Sequence, residues 1–438
     1  MAGGTWVAQN KVRPGVYIDI YSQAKPLSTV GERGTTTMAL ALSWGAPKTI
    51  HTIYADSNLF DMLGYDITAP QLLLVREALK RVKTLLLYRL NAGTKATAIL
   101  GSLTATAKYG GLRGNDIKVI VQANLDDNTK FDVNTTVSNE EVDSQTVADI
   151  AGLVPNIWVD FSGVGSLAAN PGVVLSGGAD GSGTNQDHTD YLAVAELYDF
   201  NTMALVSADA TLKSVYVSFA KRLRDGEGRK IQLVVENYPT ADFEGVISVK
   251  NGVALTDGTT LTAEQATAWV AAATAGAEAN QSLTYQAYDD ALDAVPRHSG
   301  PQIIAALLNG EFVFVHNGGK AIVEQDINTF TSFTPTKGKQ FSKNRPIRVM
   351  DGLANDWKAV YETYYIGKVD NDDDGRNLFR KDCIKLAENY QGMGAIQNFD
   401  AQTDIVVSQG EDSDAVYVGA YIQTVDSIEK VYMKVQVR

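Results

Sequence analysis

The chain holds a single cysteine, Cys383, in 438 residues. One thiol excludes an intramolecular disulfide and a cysteine-built zinc site, and suits a reducing compartment. Histidine is almost as scarce. His51, His188, His298 and His316 show neither i,i+4 nor H-x-H spacing, so no histidine metal motif is present. Positive charge is short as well: 38 Lys+Arg against 51 Asp+Glu leave a net charge of −13. That argues against a nucleic-acid binder, which normally presents a basic face to phosphates. Long apolar runs are missing too. The densest stretch, Leu72 to Leu90, is broken by Arg76, Glu77, Lys80, Arg81 and Lys83, too charged to enter a bilayer. The opening residues, MAGGTWVAQNKVRPG, carry no apolar core of a signal peptide, so the expectation is synthesis and folding in the cytoplasm.

What is present is the composition of a globular chain, 45% hydrophobic and 20% charged, with length for about three domains. Motifs for chemistry are weak. There is no G-x-S-x-G elbow. Residues 35–39, Thr-Thr-Thr-Met-Ala, echo the G-T-S-M-A nucleophile segment of subtilisins, but the glycine and the serine are both replaced. The run Ser176-Gly177-Gly178-Ala179-Asp180-Gly181-Ser182-Gly183-Thr184 has phosphate-loop spacing without the lysine, and reads as a flexible domain junction. Asp370-Asn371-Asp372-Asp373-Asp374-Gly375 opens like an EF-hand loop, yet Lys381 stands where a bidentate glutamate is required. An acidic run placed before a helix, against the positive end of its dipole, is the simpler reading.

Organisation along the chain is more informative. Residues 11–20 hold a Pro-Gly turn and then a short β-prone run with no hairpin partner nearby. Leu72, Val75, Leu79 and Val82 mark a helix face, followed by the strand-like Leu85–Tyr88. From about Asn91 to Leu175, short Thr/Val/Ala-rich segments read as an all-β unit. A β-α-β unit follows: Thr202–Val206, a helix with Leu212, Val215, Phe219 and Leu223 on one face, then Ile231–Val235. Thr262-Ala263-Glu264-Gln265 is a capping box, and Glu311–Val315 with Ala321–Glu324 forms a hairpin around Asn317-Gly318-Gly319. Val349, Leu353, Trp357, Val360 and Tyr364 stripe a long helix. A second helix from about Asn377 buries Phe379, Cys383, Leu386 and Tyr390, which turns Lys381 and Lys385 outward with Arg376 and Arg380 beside them. Strands follow near Asp404–Ser408 and Ala415–Gln423, and Val431–Arg438 alternates as a strand to the last residue.

These residues carry a resemblance. Gly3-Gly4-Thr5-Trp6 with Lys11-Val12-Arg13-Pro14-Gly15-Val16-Tyr17-Ile18 is similar to the start of contractile tail sheath proteins of phages and phage-like particles. The likeness continues, in order, through Gly110–Ile117, Leu175–Gly178, Val249–Val253, Trp269–Ala271, Phe341–Arg345 and Ile366–Asp372. It implies an α/β plus β fold: a subtilisin-like α/β domain without catalytic triad over 21–90 and 180–330, and an inserted β-sandwich over 91–179. A C-terminal α+β domain over 331–438 would face an inner tube, with extended arms at both chain ends, the first over 1–20. The implied role is a structural subunit, not an enzyme and without cofactor. It would stack as six-subunit rings into a helical homopolymer around an inner tail tube protein, bounded by baseplate and tail terminator proteins. Assembly in the bacterial host cytoplasm, no nucleic-acid partner and no membrane insertion complete that expectation. Inter-subunit arms would be Val16, Tyr17, Ile18, Asp19 and Ile20, and Val431, Tyr432, Met433, Lys434, Val435, Gln436 and Val437. The tube contact would be Arg376, Arg380, Lys381 and Lys385. The competing readings are a hydrolase with a degenerate α/β core and a carbohydrate-binding or adhesin protein built on the β unit.

Overall fold

A computed structural model describes residues 2–4, 15–17 and 33–437, which divide into two units, Met1–Glu32 and Arg33–Arg438. In the first, Ala2–Gly4 pairs in parallel with Gly15–Tyr17, setting Gly3 opposite Val16 and Gly4 opposite Tyr17. This corrects the expectation of a strand with no local partner: the partner is parallel, so it lies across a connecting segment and not across a tight turn. Ile18, Asp19 and Ile20 lie outside the described residues.

The second unit is organised around a seven-stranded sheet. Its order is Glu311–Phe312, Val246–Val249, Gln232–Glu236, Thr202–Ala204, Thr35–Leu40, Thr84–Arg89 and Ile50–Ile53. Every pair is parallel except the last. Parallel strands covered on both faces are apolar without alternation. Leu85 and Leu87 accordingly pack on one face with Met38 and Val234, while Leu86 and Tyr88 pack on the other with Ala39, Leu233 and Val235. The Ala263–Gly276 helix covers the first face, with Trp269 and Val270 fully buried. Its capping box forms as read: Thr262 Oγ1 accepts from the Gln265 amide, and Gln265 Oε1 accepts from the Thr262 amide. Asn185–Ala195 and Ala210–Lys221 cover the second face.

One inward position on Ala210–Lys221 differs from expectation. Val215 is exposed, and Tyr216 is buried in its stead. The larger ring reaches Tyr191, and its hydroxyl finds a partner in His188, so its polar tip is satisfied.

Between Thr97 and Val174 the chain builds two antiparallel sheets. One runs Glu140–Val147, Phe131–Val137, Ile117–Ala123, Asn170–Val174; the other runs Val159–Gly163, Leu103–Ala107, Thr97–Leu100. Alternation along Leu103–Ala107 sends Leu103, Ala105 and Ala107 into a shared core with Val119, Val133 and Trp158. Trp44, from the α/β part, stacks on Trp158 at 4.8 Å between ring centroids and belongs to the sandwich core.

The final part pairs two helices, Asn344–Tyr364 and Asp373–Gly392, and lays the antiparallel pair Ile405–Gln409 and Val416–Ala420 against the second. Phe379, Cys383, Leu386 and Tyr390 are buried as the spacing predicts. Tyr364, expected to close the inward stripe, is exposed; Tyr365, just past the helix end, turns in and packs on Phe379 at 4.8 Å. Residues 426–437 form no strand within the chain. This corrects the expected terminal strand at the level of the single chain, because no sheet edge among the described residues of this subunit pairs with it. Tyr432 and Val437 are each 90% exposed.

Candidate functional site

Each histidine has its own surroundings. His51 Nε2 lies 2.9 Å from the carbonyl of Ala46, and His316 Nδ1 lies 3.1 Å from Asp293, a carboxylate also held by Arg297. His188 Nδ1 and the Tyr216 hydroxyl are 2.7 Å apart, and burial pushes the ring below its ordinary pKa. His298 Nε2 is buried without a hydrogen-bond partner among the described residues. Cys383 is packed under the C-terminal helices, where burial pushes its thiol up to about 12. A thiol so protonated is a poor nucleophile. Among the described residues, no group of His, Cys, Asp and Glu is placed to hold a metal ion.

The glycine-rich run is a junction but not a loose one, which corrects the flexible reading. Thr94 pairs with Ala179 and Thr97 with Ser176, so the chain entering the sandwich is stitched to the chain leaving it. Asp180 accepts from Ser43 Oγ at 2.9 Å and from the Leu112 amide at 2.7 Å, while its carbonyl accepts from Asn91 Nδ2 at 2.5 Å. Gly111, at φ +142, leaves room for the carbonyl of Ser43; a Cβ there would lie 1.9 Å from that oxygen. The acidic run 370–374 does what the simpler reading asks. Asp372 caps the helix by accepting from the Gly375 amide at 2.8 Å, with Asp373 and Asp374 in the first turn.

The four cations expected on the outward helix face separate into two kinds. Arg376 donates to the Asn371 carbonyl and side chain and to Asp373. Arg380 donates to the carbonyls of Ile405, Ala401 and Gln402, clamping the loop before the hairpin. Both guanidiniums are thus engaged by their own chain, which corrects the picture of four outward charges. A guanidinium carries five donors in a fixed fork and finds carbonyls readily. Lys381 and Lys385 are exposed, one helical turn apart, with no ion-pair partner among the described residues.

Two features had no signal in the sequence. The first is the root of the C-terminal tail. Glu429 accepts from Thr284 Oγ1 at 2.8 Å, from Gln325 Nε2 at 2.5 Å and from Lys343 Nζ, and these contacts hold its carboxyl below its ordinary pKa despite burial. The second is a set of buried ion pairs fastening the Asn344–Tyr364 helix to the α/β core. Arg224 donates two hydrogen bonds to Asp351, at 2.6 and 2.8 Å. Asp326 takes Asn344 Nδ2 at 2.8 Å and lies 3.4 Å from Arg348. Each partner lies far away in the sequence, beyond the reach of any local pattern.

Comparison with known proteins follows this architecture along the chain. Residues 33–90 match the family model for the tail sheath protein Gp18 domain III N-terminal region. Residues 91–180 match the phage tail sheath protein beta-sandwich domain, 181–329 the phage tail sheath protein central domain, and 336–438 the phage tail sheath C-terminal domain. The phage-like element PBSX protein XkdK of Bacillus subtilis (strain 168) is 39% identical over 466 residues, covering 100% of both chains. The crystal structure of a sheath tail protein from Desulfitobacterium hafniense superposes with a TM-score of 0.87 at 57% identity, over 96% of this chain and 100% of that one. The helical sheath of the anti-feeding prophage in its contracted state shares the fold alone, with 12% identity and a TM-score of 0.58 over 97% of this chain and 99% of that one.

Proposed function

This chain belongs to the phage tail sheath protein family, structural components of contractile tails, and from that premise we propose that it polymerises with copies of itself as stacked six-subunit rings around an inner tail tube. Baseplate and terminator proteins bound the polymer, which assembles in the host cytoplasm and contracts to drive the tube through an envelope. The observation that carries this reading is the C-terminal tail. It is fastened at Glu429, and beyond that point Val431, Tyr432, Met433, Val435 and Val437 are at least 70% exposed. An alternating segment without a strand partner among the described residues is suited to donate a strand to another subunit by β-augmentation. The two-stranded hairpin Ile405–Gln409 with Val416–Ala420 supports the acceptor role, since a pair of strands leaves outer edges open. The N-terminal segment around Val16–Ile20 is the second arm, and Lys381 and Lys385 contact the tube, with Arg376 and Arg380 bracing the helix that presents them.

The division into arm, α/β body, inserted sandwich and tube-proximal part is retained in this reading. The mostly parallel seven-stranded sheet supports a subtilisin-like body serving as scaffold. Separate, unrelated partners for His51, His188 and His316 support a body without enzymatic activity. Contraction draws on interface area gained between subunits, not on a nucleotide. About 25 cal/mol per Å² of apolar surface gives on the order of 10 kcal/mol for ~500 Å² gained per subunit, before offsets.

Negative-stain microscopy of the purified chain tests the reading. Rings, tubes or striated cylinders are expected. A monodisperse monomer with esterase or peptidase turnover would replace this reading with the hydrolase one.

A further inference from the structure

The Gly300–Leu308 helix is among the most apolar in the chain, GPQIIAALL, yet only Ala306 on it is fully buried. Ile304 is 60% exposed and Leu308 74%. A surface helix normally turns polar residues to solvent, and a contiguous apolar patch marks an interaction surface. The patch continues off the helix. A cavity of about 360 Å³ lies beside it, walled by Ile304, Leu308, Phe330, Phe333, Lys339 and Lys430 among others. Phe330 is buried at its floor with its ring 5.8 Å from that of Phe333, which is half exposed. Lys339 and Lys430 on its wall are exposed and have no ion-pair partner among the described residues.

Lys430, on the groove wall, is also the first residue of the tail beyond Glu429. Glu429 is pinned by Thr284, Gln325 and Lys343, and Lys343 also lines the groove. The free tail therefore starts at the groove wall. From Lys430 to the chain end, at about 3.3 Å per residue, it spans at most roughly 30 Å. A subunit that receives the tail must come that close to this face. Its surface is acidic on average, since the chain carries a net charge of −13, and the groove wall offers Lys339 and Lys430, which have no ion-pair partner among the described residues. We propose that the groove between Ile304, Leu308 and Phe333 is a docking surface for the same neighbouring copy of this chain that takes the C-terminal tail. This rests on the sheath reading above and adds a body-to-body contact to the tail exchange. A bulky apolar side chain of the neighbour fills the groove, and its flanking carboxylates meet Lys339 and Lys430.

The test uses the full-length chain and two readouts. In the first, Ile304→Glu with Leu308→Glu is compared with wild type for polymerisation, by sedimentation and microscopy. Both positions are exposed, so the double variant melts with the wild type, while the concentration needed for polymerisation rises on the order of tenfold or more. In the second, a photoreactive phenylalanine analogue replaces Leu308 in assembled polymer. A crosslinked product of twice the chain mass, mapped to the body of a second copy, is expected. Undiminished polymerisation by the double variant, or crosslinks only to a tube protein or within one chain, overturns the groove and leaves the sheath reading standing. A wild-type chain that never polymerises, alone or on tubes, overturns both.

Discussion

Single residues in this protein are governed by the cost of burying polar atoms. Burial lowers the pKa of His188 below its ordinary value of 6.5 in the folded state, while the unfolded chain takes up the proton near that value. Its depressed folded pKa means that stability is highest above pH 6.5 and falls as the pH drops below it, by at most about 1.4 kcal/mol per pH unit. His188→Gln keeps a partner for Tyr216 and removes the titration. Urea unfolding between pH 7 and 5 is therefore expected to show a flatter decline for the variant than for wild type, and parallel declines would refute the assignment. Asp351 is the opposite case, a charge kept because it neutralises Arg224, whose side chain is only 3% exposed. Asp351→Ala strands that guanidinium and is expected to cost about 3–5 kcal/mol, read from the denaturant midpoint. A loss below about 1 kcal/mol would mean that water reaches Arg224.

At the scale of elements, close approach and open edges decide the outcome. The sandwich is tied to the α/β body by backbone packed against backbone, so Gly111→Ala must displace the Ser43 carbonyl and is expected to lower the melting temperature sharply. Gly177, at φ +83 with no atom within 4 Å of where a Cβ would sit, is the matched control; Gly177→Ala carries only the penalty of a positive φ, about 1–2 kcal/mol. Equal losses at the two sites would show that the junction yields. The tail behaves differently, because past Glu429 it makes no strand pairing among the described residues. Deleting residues 431–438 is expected to leave the thermal transition unchanged and to abolish polymerisation, scored by sedimentation. Normal tubes from the truncated chain would sink the arm role.

For the whole molecule, charge is distributed by task. A chain with net charge −13 leaves Lys381 and Lys385 without an ion-pair partner among the described residues on one helix face, as the proposed contact with an acidic tube surface requires. In the proposed arrangement such exposed pairs would be worth about 0–1 kcal/mol each, weak enough for a tube to be released, and would add up over stacked rings. Lys381→Glu with Lys385→Glu is expected to fold and polymerise alone but to lose co-sedimentation with preformed tubes. Wild-type co-sedimentation should weaken as salt rises. Undiminished, salt-insensitive binding by the double variant would exclude this face.

Much of this architecture was legible from local order. The capping box at Thr262, the buried row Phe379, Cys383, Leu386 and Tyr390, the hairpin turn at Gly318-Gly319 and the fully apolar Leu85–Tyr88 depend on neighbours within about four positions or on simple periodicity. The ordered succession of short motifs was enough to indicate the family. Tertiary structure alone decided which distant partners polar groups find. Arg380 reaches carbonyls from 21 to 25 residues away, and Glu429 accepts from Thr284 at a separation of 145. Hydrogen-bond partners at such distances are selected by how the chain packs, and side chains with the same sequence spacing can end with opposite fates. So Arg376 and Arg380 turn back onto their own chain while Lys381 and Lys385, on the same helix, keep their charge for the surface. An apolar helix likewise reads as core from its composition, and only the packed structure leaves Ile304 and Leu308 of Gly300–Leu308 uncovered.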